Sequence, residues 1–535
     1  MEDKIFKLLP YVSVPSRYTG MEINAVHKEF EKCKVKFVFC YPDLYELGMS
    51  SLGIRVLYGL LNDDKDVVCE RVFAPASDME GLLKIRGLPI FTLESKKPLK
   101  EFDIVGFSIS SELNYTNVLN ILSLADIPVF SSERTENDPI IIAGGNCIFN
   151  FKPLEPFIDC FVVGEGEEVI LEIVGVLKET KGSGREKVLT ALSSIDGVYI
   201  PSFSEGNVRK RFIQDFDNAY FPLRWMVPLT EIVHDRVSIE IMRGCGQGCF
   251  FCQAGRCWRP VRKRSPEKIL EIARDVWKNT GYGEFSLLSF SSGDHPEIDK
   301  IVDNLLCEFR DRKVIISFPS IRIDTFSFEL ATKIKEIKKT GLTFAPETGE
   351  QLREKIGKKI KDSELISLVQ KAKEGGWKQI KLYFILGLPK EKDSDIIDIA
   401  AIINELSKVI GIKASFNTFI PKPHTVFERE RFITEEEYIY KKSLIVKNVR
   451  RSNRIKLNFY SYHMSCVETF LGRGDKTISP VIKKVWEKGG KMENWDELFN
   501  FSLWFESFKE CGIDISSYLS EIPLDISLPW HNIIV

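Results

Sequence analysis

The sequence predicts an α/β chain with a doubly wound parallel sheet first, a partial (β/α)6 barrel second and a small mixed α/β cap at the C-terminus. Three observations carry this expectation. Short apolar runs alternate with helix-length stretches between residues 35 and 187, strand-helix units recur about six times between residues 237 and 451, and Gly, Ser, Asp and Glu gather where the apolar runs end. Alternation of this kind builds parallel sheets covered by helices. Such sheets bind ligands at the carboxyl ends of their strands.

In the first segment, residues 35–40, 104–109, 140–143 and 160–163 read as strands, and residues 50–61 and 115–124 as helices. Their strand ends carry Asp43 and Gly48, then Ser108, Ser110 and Ser111, then Gly144 and Gly145, then Gly164, Glu165, Gly166 and Glu167. Small residues there suit a ligand lying across the strand ends, and equally suit any tight strand-helix turn. The pattern loosens between residues 180 and 228, where Lys181-Gly182-Ser183-Gly184 interrupts it and Pro201, Pro222 and Pro228 punctuate it. The expected divisions are therefore 1–190, a connector over 191–228 with a β element at 197–201, a barrel over 229–452 and a cap over 453–535.

Candidate barrel strands are 237–242, 285–290, 314–318, 341–345, 380–386 and 414–419. Helix starts between them are recognisable: Ser265 precedes Pro266 as N-cap and first helical residue, and Thr434 to Glu437 reads as a capping box. In the last segment, 481–488 and 495–511 read as helices whose Trp486, Trp495, Trp504 and Phe508 form a small core. A cap over the open side of the barrel is expected. From that side His424, His463, Glu468, Arg473 and Asp475 are candidates to face a substrate, against the plainer reading that they pack or meet solvent.

Composition narrows the class. With 74 basic and 76 acidic residues, no global charge argues for nucleic acid or an anionic membrane. No apolar stretch reaches transmembrane length and the N-terminus lacks a signal-peptide layout, so a cytoplasmic protein is expected. The 12 cysteines follow no disulfide spacing, which suits a reducing compartment.

One window of cysteines is regular. Cys245, Cys249 and Cys252 form C-x3-C-x2-C just after an apolar run. Three thiolates on one loop can hold three corners of an iron-sulfur cube and leave the fourth iron open. A structural zinc site wants four ligands. Cys257 is the nearest supplement, but it sits five residues on, behind Arg256, and no paired Cys or His follows at zinc-ribbon distance. An inert core triplet would have little to pack against in a Gly-rich turn.

The triplet resembles the cluster loop of the radical S-adenosylmethionine (SAM) superfamily, in which SAM occupies the open iron of a 4Fe-4S cluster and is cleaved to a 5'-deoxyadenosyl radical. The resemblance implies roles at successive strand ends: Ser292, Gly293 and Asp294 toward the SAM amino group, Ser320 and Arg322 toward its carboxylate, Glu347 toward the ribose, and Leu386 and Phe251 along the adenine. An electron donor such as flavodoxin or ferredoxin is implied as partner. The basic stretch Arg256, Arg259, Arg262, Lys263 and Arg264 is open to three readings: donor docking, a phosphorylated or nucleic-acid substrate, or a solvated face.

The first segment resembles the flavodoxin-like cobalamin-binding domain that precedes many radical SAM barrels. Its fingerprint, D-x-H-x-x-G, then Ser, then Gly-Gly, is matched by Asp43, Gly48, Ser108 or Ser110, and Gly144-Gly145, with Gly164 and Glu165 at the next strand end. Tyr45 stands where the cobalt-ligating histidine would be. A cobalamin site without that ligand, or a degenerate domain, are both left open. Runs such as Pro42 to Ser50, Gly341 to Gly349, Phe419 to His424 and Gly472 to Asp475 are similar to one radical SAM family with such an N-terminal domain. The resemblance implies methyl or related group transfer with cobalamin. The alternatives are a cobalamin-independent modifying enzyme or an iron-sulfur carrier.

Overall fold

The structure is a computed structural model, described for residues 1–204, 206–317, 322–323 and 341–535. Its first sheet contains β1 (Val35–Tyr41), β2 (Val67–Phe73), β3 (Ile104–Ser108), β4 (Ile140–Gly144), β5 (Cys160–Val162) and β6 (Val198–Tyr199), in the order β2-β1-β3-β4-β5-β6. The first five are parallel and β6 runs antiparallel to β5. The order 2-1-3-4-5 is that of a flavodoxin-like sheet, whose direction of winding reverses between β1 and β3 and opens a crevice at that point. Alternation along β1 divides the core. Val38 and Cys40 pack with the helix Tyr115–Leu124, while Phe37, Phe39 and Tyr41 pack with the helices Leu52–Asp63 and Gly166–Glu179.

The strand β2 was not expected from sequence, because Glu70 and Arg71 interrupt its apolar pattern. Both are buried, and Arg71 is held by carboxylates of Glu22 at 2.8 Å and Glu94 at 2.6 Å. A charge taken out of water is tolerated when its partners come with it.

The connector carries β7 (Val208–Arg209), which pairs with Ile533–Ile534 at the end of the chain. The barrel segment begins with β8 (Val237–Glu240) and the hairpin of β9 (Met242–Arg243) with β10 (Arg262–Lys263). There follow β11 (Glu284–Leu288), β12 (Ile315–Ser317), β13 (Leu342–Glu347), β14 (Gln379–Leu386), β15 (Gly411–Thr418) and β16 (Ile455–Phe459). Among the described residues the parallel strands form two sheets, β12-β11-β8 and β13-β14-β15-β16. β16 is a seventh strand beyond the six expected; it pairs Ile455 with Ile412, so the sheet runs past the boundary drawn at 452. Along β14, Ile380, Leu382, Phe384 and Leu386 join the core with the helices Asp362–Glu374 and Asp393–Ser407, leaving Lys381, Tyr383 and Ile385 to the inner face.

The last segment also serves as a strut to the first sheet. Trp504 and Phe508 pack on Phe470 as expected, yet the Trp495 indole and the Asn494 amide donate to Asp43 at 2.9 and 3.0 Å, joining this segment to the first sheet. The helix Tyr462–Arg473 lies between β15 and the turns Glu112–Asn114 and Asn146–Asn150. Between sheet and barrel, Glu165 accepts from Arg262 at 2.6 Å and faces Arg243 at 3.1 Å, a largely buried cluster.

Candidate functional site

The hairpin of β9 and β10 pins both ends of the loop that carries the three cysteines. Gly244 begins it at φ +88°, where an added Cβ would stand 2.5 Å from the Trp258 carbonyl oxygen, so the loop closes on itself only without a side chain there. On the far side the Phe250 amide donates to the Ile356 carbonyl at 3.0 Å, fixing the loop to the segment after β13. Cys245 is buried; Cys249 and Cys252 are half-buried. Burial pushes the thiols of Cys245 and Cys249 up, while Arg322 pulls Cys245 down and Lys358 pulls Cys249 down. Among the described residues no three Cys, His, Asp or Glu side chains converge on a single-ion site. Ligands of a cluster each hold a different iron and have no need to converge. Cys257 is sealed in the core, its thiol pushed up to about 12 by burial, and Cys307 is exposed on the outer helix Ile298–Phe309.

Charged side chains from successive strand ends surround this loop. The Gln247 amide donates to Asp294 at 2.9 Å, so Asp294, in the turn Ser292–Asp294 beside Gly293, is aimed at the loop. Ser292 is buried and its hydroxyl is spent on Ser289 at 2.9 Å and the Leu287 carbonyl at 3.2 Å, so it shapes the turn. Glu347 ends β13 at φ +68°, where the register with β14 shifts, and pairs with Lys358 at 2.6 Å. A left-handed glutamate is strained backbone, which persists where its surroundings hold it. Arg322 lies within electrostatic reach of Cys245, and Ser320 lies outside the described residues.

One expectation needs correction by one residue of parity. Leu386 faces the helix layer and is fully buried, whereas its neighbour Ile385 faces inward. Phe251, Ile385, Asn417, Thr418 and Glu468 line a cavity of about 280 Å³ beside the cysteine loop. The sequence pointed to the right strand end and the wrong face.

A larger cavity, about 390 Å³, opens at the carboxyl end of the first sheet. Ser108, Ser110, Gly144, Gly145, Gly164 and Glu165 line it as expected of strand-end residues. Its floor is apolar, from Phe37, Phe39, Ile142 and Val162, and the helix start Leu52-Gly53 forms one wall. The opposite wall comes from the barrel: Glu240, Arg243, Leu288, Phe290 and, from the cysteine loop itself, Trp258. Asp43, Tyr45 and Gly48 do not line it. Asp43 is engaged by Asn494 and Trp495; Tyr45 is buried, donating to Glu22 at 2.8 Å, and burial pushes its phenol far up; Gly48 is packed under the Phe73 ring. The short helix Tyr45–Gly48 turns that stretch away from the crevice.

The description "Radical SAM superfamily" matches residues 239–403, which hold the three-cysteine loop and β8 to β14. This stretch of the chain is a radical SAM domain. A second match, "Radical SAM proteins, N-terminal", covers residues 53–201 of the first sheet. Uncharacterized protein MJ0966 of Methanocaldococcus jannaschii is 28% identical over 450 residues, covering 83% of this chain and 89% of that protein. Among solved structures, the radical SAM methyltransferase TsrM of Kitasatospora setae, with cobalamin and a [4Fe-4S] cluster bound, aligns at TM-score 0.56 with 11% identity, over 89% of this chain and 99% of that one. The cobalamin-dependent radical SAM enzyme OxsB, with aqua-cobalamin bound, aligns at 0.51 with 13% identity, over 79% of this chain and 58% of that one. At these identities the likeness is one of fold.

The radical SAM domain also revises the basic stretch. Arg262 is clamped by Glu165 and Arg264 is buried against the Asp217 carbonyl, so Arg256, Arg259 and Lys263 alone remain on the surface. Of the C-terminal candidates Glu468 lines the cavity beside the cysteine loop. His424 pairs with the Phe149 carbonyl, His463 lies against Glu435 and Phe501, buried Arg473 donates to the Ser520 carbonyl, and Asp475 caps Thr477. Among the described residues no helix is long and apolar enough to cross a membrane.

Proposed function

We propose that this chain is a radical SAM enzyme that holds a 4Fe-4S cluster on Cys245, Cys249 and Cys252 and cobalamin in the cavity at the end of the first sheet, for methyl or related group transfer. The observation that carries the reading is the shared wall: Trp258 of the cysteine loop, with Leu288 and Phe290 at the end of β11, borders the same 390 Å³ space as Ser108, Gly144 and Gly145. Two cofactors that act on one substrate carbon must reach it together.

When bound, the cluster supplies an electron that cleaves the SAM sulfonium, and cobalamin supplies a methyl carrier. The residues have separate tasks. Asp294 and the Arg322 guanidinium offer an acceptor and a donor suited to the amino and carboxylate groups of SAM. Glu347, fixed by Lys358, offers a carboxylate for hydroxyl groups. Gly53, Gly144 and Gly145 clear room for a large planar group, and Phe37, Phe39 and Val162 exclude water beneath it. No histidine lines that cavity among the described residues, so the lining would hold a corrin by shape and apolar contact rather than through an imidazole. An electron donor such as flavodoxin or ferredoxin completes the reaction.

Anaerobic reconstitution with iron, sulfide and hydroxocobalamin tests the reading. Equilibrium dialysis should give saturable uptake of about one cobalamin per chain, and dithionite with SAM should yield 5'-deoxyadenosine. Absence of cobalamin uptake by cluster-loaded protein would favour the cobalamin-independent alternative.

A further inference from the structure

The loop that carries Cys245, Cys249 and Cys252 is exposed at two glycines, Gly246 and Gly248, and exposed cations flank both. Next to Gly246 lies the return of the hairpin. The Arg259 guanidinium donates to the Gly246 carbonyl at 3.4 Å, and an added Cβ at Gly246 would stand 4.0 Å from the side chain of Val261, itself 44% exposed. Arg256 and Lys263, on the same return, are exposed as well. Next to Gly248 lies the segment after β13. An added Cβ at Gly357 would stand 2.8 Å from the Gly248 carbonyl oxygen, which brings the exposed Lys355 and Lys359, two residues to either side of Gly357, to that flank.

These five cations differ from cations elsewhere on the surface. Arg211 pairs with Glu168 and Glu172, Arg274 with Glu308, and Lys488 with Glu506 and Glu510. Among the described residues no carboxylate lies within ion-pair distance of Arg256, Arg259, Lys263, Lys355 or Lys359. The local sequence gives the reason. Residues 253–264 hold five basic residues and no acid, and residues 354–361 hold four lysines against Glu354 alone, with Lys358 already taken by Glu347. In a chain of 74 basic and 76 acidic residues, a cationic rim about the cysteine loop is a local departure from balance.

We infer that this rim is the docking face of a small acidic electron-transfer protein, which delivers at the cysteine loop the single electron that each reductive cleavage of SAM consumes. The donor loses one electron and the cluster gains it. Two redox centres must come close for that exchange, and the exposed backbone of Gly246 and Gly248 marks where a partner can approach the loop. Unpaired cations steer an acidic partner to that place and fix its orientation, while Val261 adds an apolar contact beside them. Nucleic acid asks for a different surface. A phosphate backbone is tracked by a basic stripe interleaved with aromatic rings for the bases, whereas this rim is two short clusters about one loop. The inference rests on the reading of the chain as a radical SAM enzyme and names where the electron donor of that enzyme binds.

The test is stopped-flow reduction of the cluster-reconstituted full chain, with a reduced acidic flavodoxin as donor and dithionite as a control that needs no docking. The second-order rate constant with flavodoxin should fall by about tenfold or more in a triple variant carrying Arg256→Glu, Lys355→Glu and Lys359→Glu. In wild type it should fall likewise from roughly 0.1 M to roughly 1 M salt, over which the screening length shrinks from about 10 Å to about 3 Å. Arg259→Gln, which removes the charge and keeps a donor for the Gly246 carbonyl, should lower it by a smaller factor. Iron content, SAM affinity and the dithionite rate should match wild type throughout, and Arg86→Glu, on the helix Ser77–Arg86, should change nothing. Equal flavodoxin rates in wild type and the triple variant, an equal loss in Arg86→Glu, or no reduction of wild type by flavodoxin would each overturn the inference. An RNA complex lost in the triple variant while the flavodoxin rate holds would overturn it too and give the rim to nucleic acid. Failure to load iron, or to release 5'-deoxyadenosine with dithionite, would count against the proposed function; normal loading and cleavage with an unchanged flavodoxin rate counts against the docking face alone.

Discussion

The two strand-end faces of this chain are built from opposite materials. At the end of the first sheet the cavity is cut from Gly53, Ser108, Gly144 and Gly145 over a floor of Phe37, Phe39 and Val162, and what it offers a ligand is shape. At the barrel face three thiols stand among Asp294, Arg322, Glu347 and Lys358, and what it offers is charge at fixed points. A carrier that must be held and released of its group needs room and dryness. A cluster and a zwitterionic cosubstrate need ligands and counter-charges. The contrast predicts that damage to one face leaves binding at the other intact.

The largest effect should come from the thiols. Replacing Cys245, Cys249 and Cys252 together by alanine should remove all of about four irons per chain, by iron analysis, while cobalamin uptake persists. Retained iron would move the cluster elsewhere. The mirror experiment is Gly53→Trp. An added Cβ at Gly53 meets nothing within 4 Å, so the variant should fold, fill the first cavity and cut cobalamin uptake at least tenfold with iron unchanged.

Smaller effects sharpen the comparison within the barrel. Leu386→Ala should cost about 2–5 kcal/mol of stability in denaturant titration, as a truncation on the packed face, and leave SAM affinity alone. Arg322→Ala should weaken SAM binding by roughly 1.5–3 kcal/mol through loss of a hydrogen bond to a charged group, with the melting temperature little changed. A change in the opposite pattern would reverse the two roles.

The last effect is a pH dependence in the strut. Glu493 is buried with only the Trp504 indole donating to it at 2.9 Å, and burial pushes it from the ordinary 4.5 up to about 7. A carboxyl whose pKa rises on folding contributes stability that is complete below about 4.5 and is lost as pH rises through about 7. Thermal melts across that window should slope downward in wild type and more gently in Glu493→Gln.

Much of the barrel face was legible because a cluster dictates spacing in the chain itself: C-x3-C-x2-C must fall on one loop. Asp294 was legible for a related reason, lying at a strand end that the alternation located. The shape-built face was harder to read. Ser108, Gly144 and Gly145 sit where their strands end, but Gly53, Val56 and Leu57 belong to a helix face that period alone does not orient toward a cavity. Asp43 and Tyr45 were misplaced because their partners, Trp495 and Glu22, lie far away in sequence. Arg243 and Glu240 escaped notice for the opposite reason. Each is an ordinary charge until β8 is set beside Glu165 and Glu167.

The central claim is that both faces open on one space. Electron paramagnetic resonance on reconstituted protein carrying the paramagnetic Co(II) form of cobalamin tests it most directly. Reducing the cluster should broaden the cobalt signal in wild type through spin-spin interaction, and the same treatment of the triple cysteine variant should leave the signal sharp. Bound cobalamin whose signal is identical with and without a reduced cluster would place the carrier away from the cysteine loop and contradict the account.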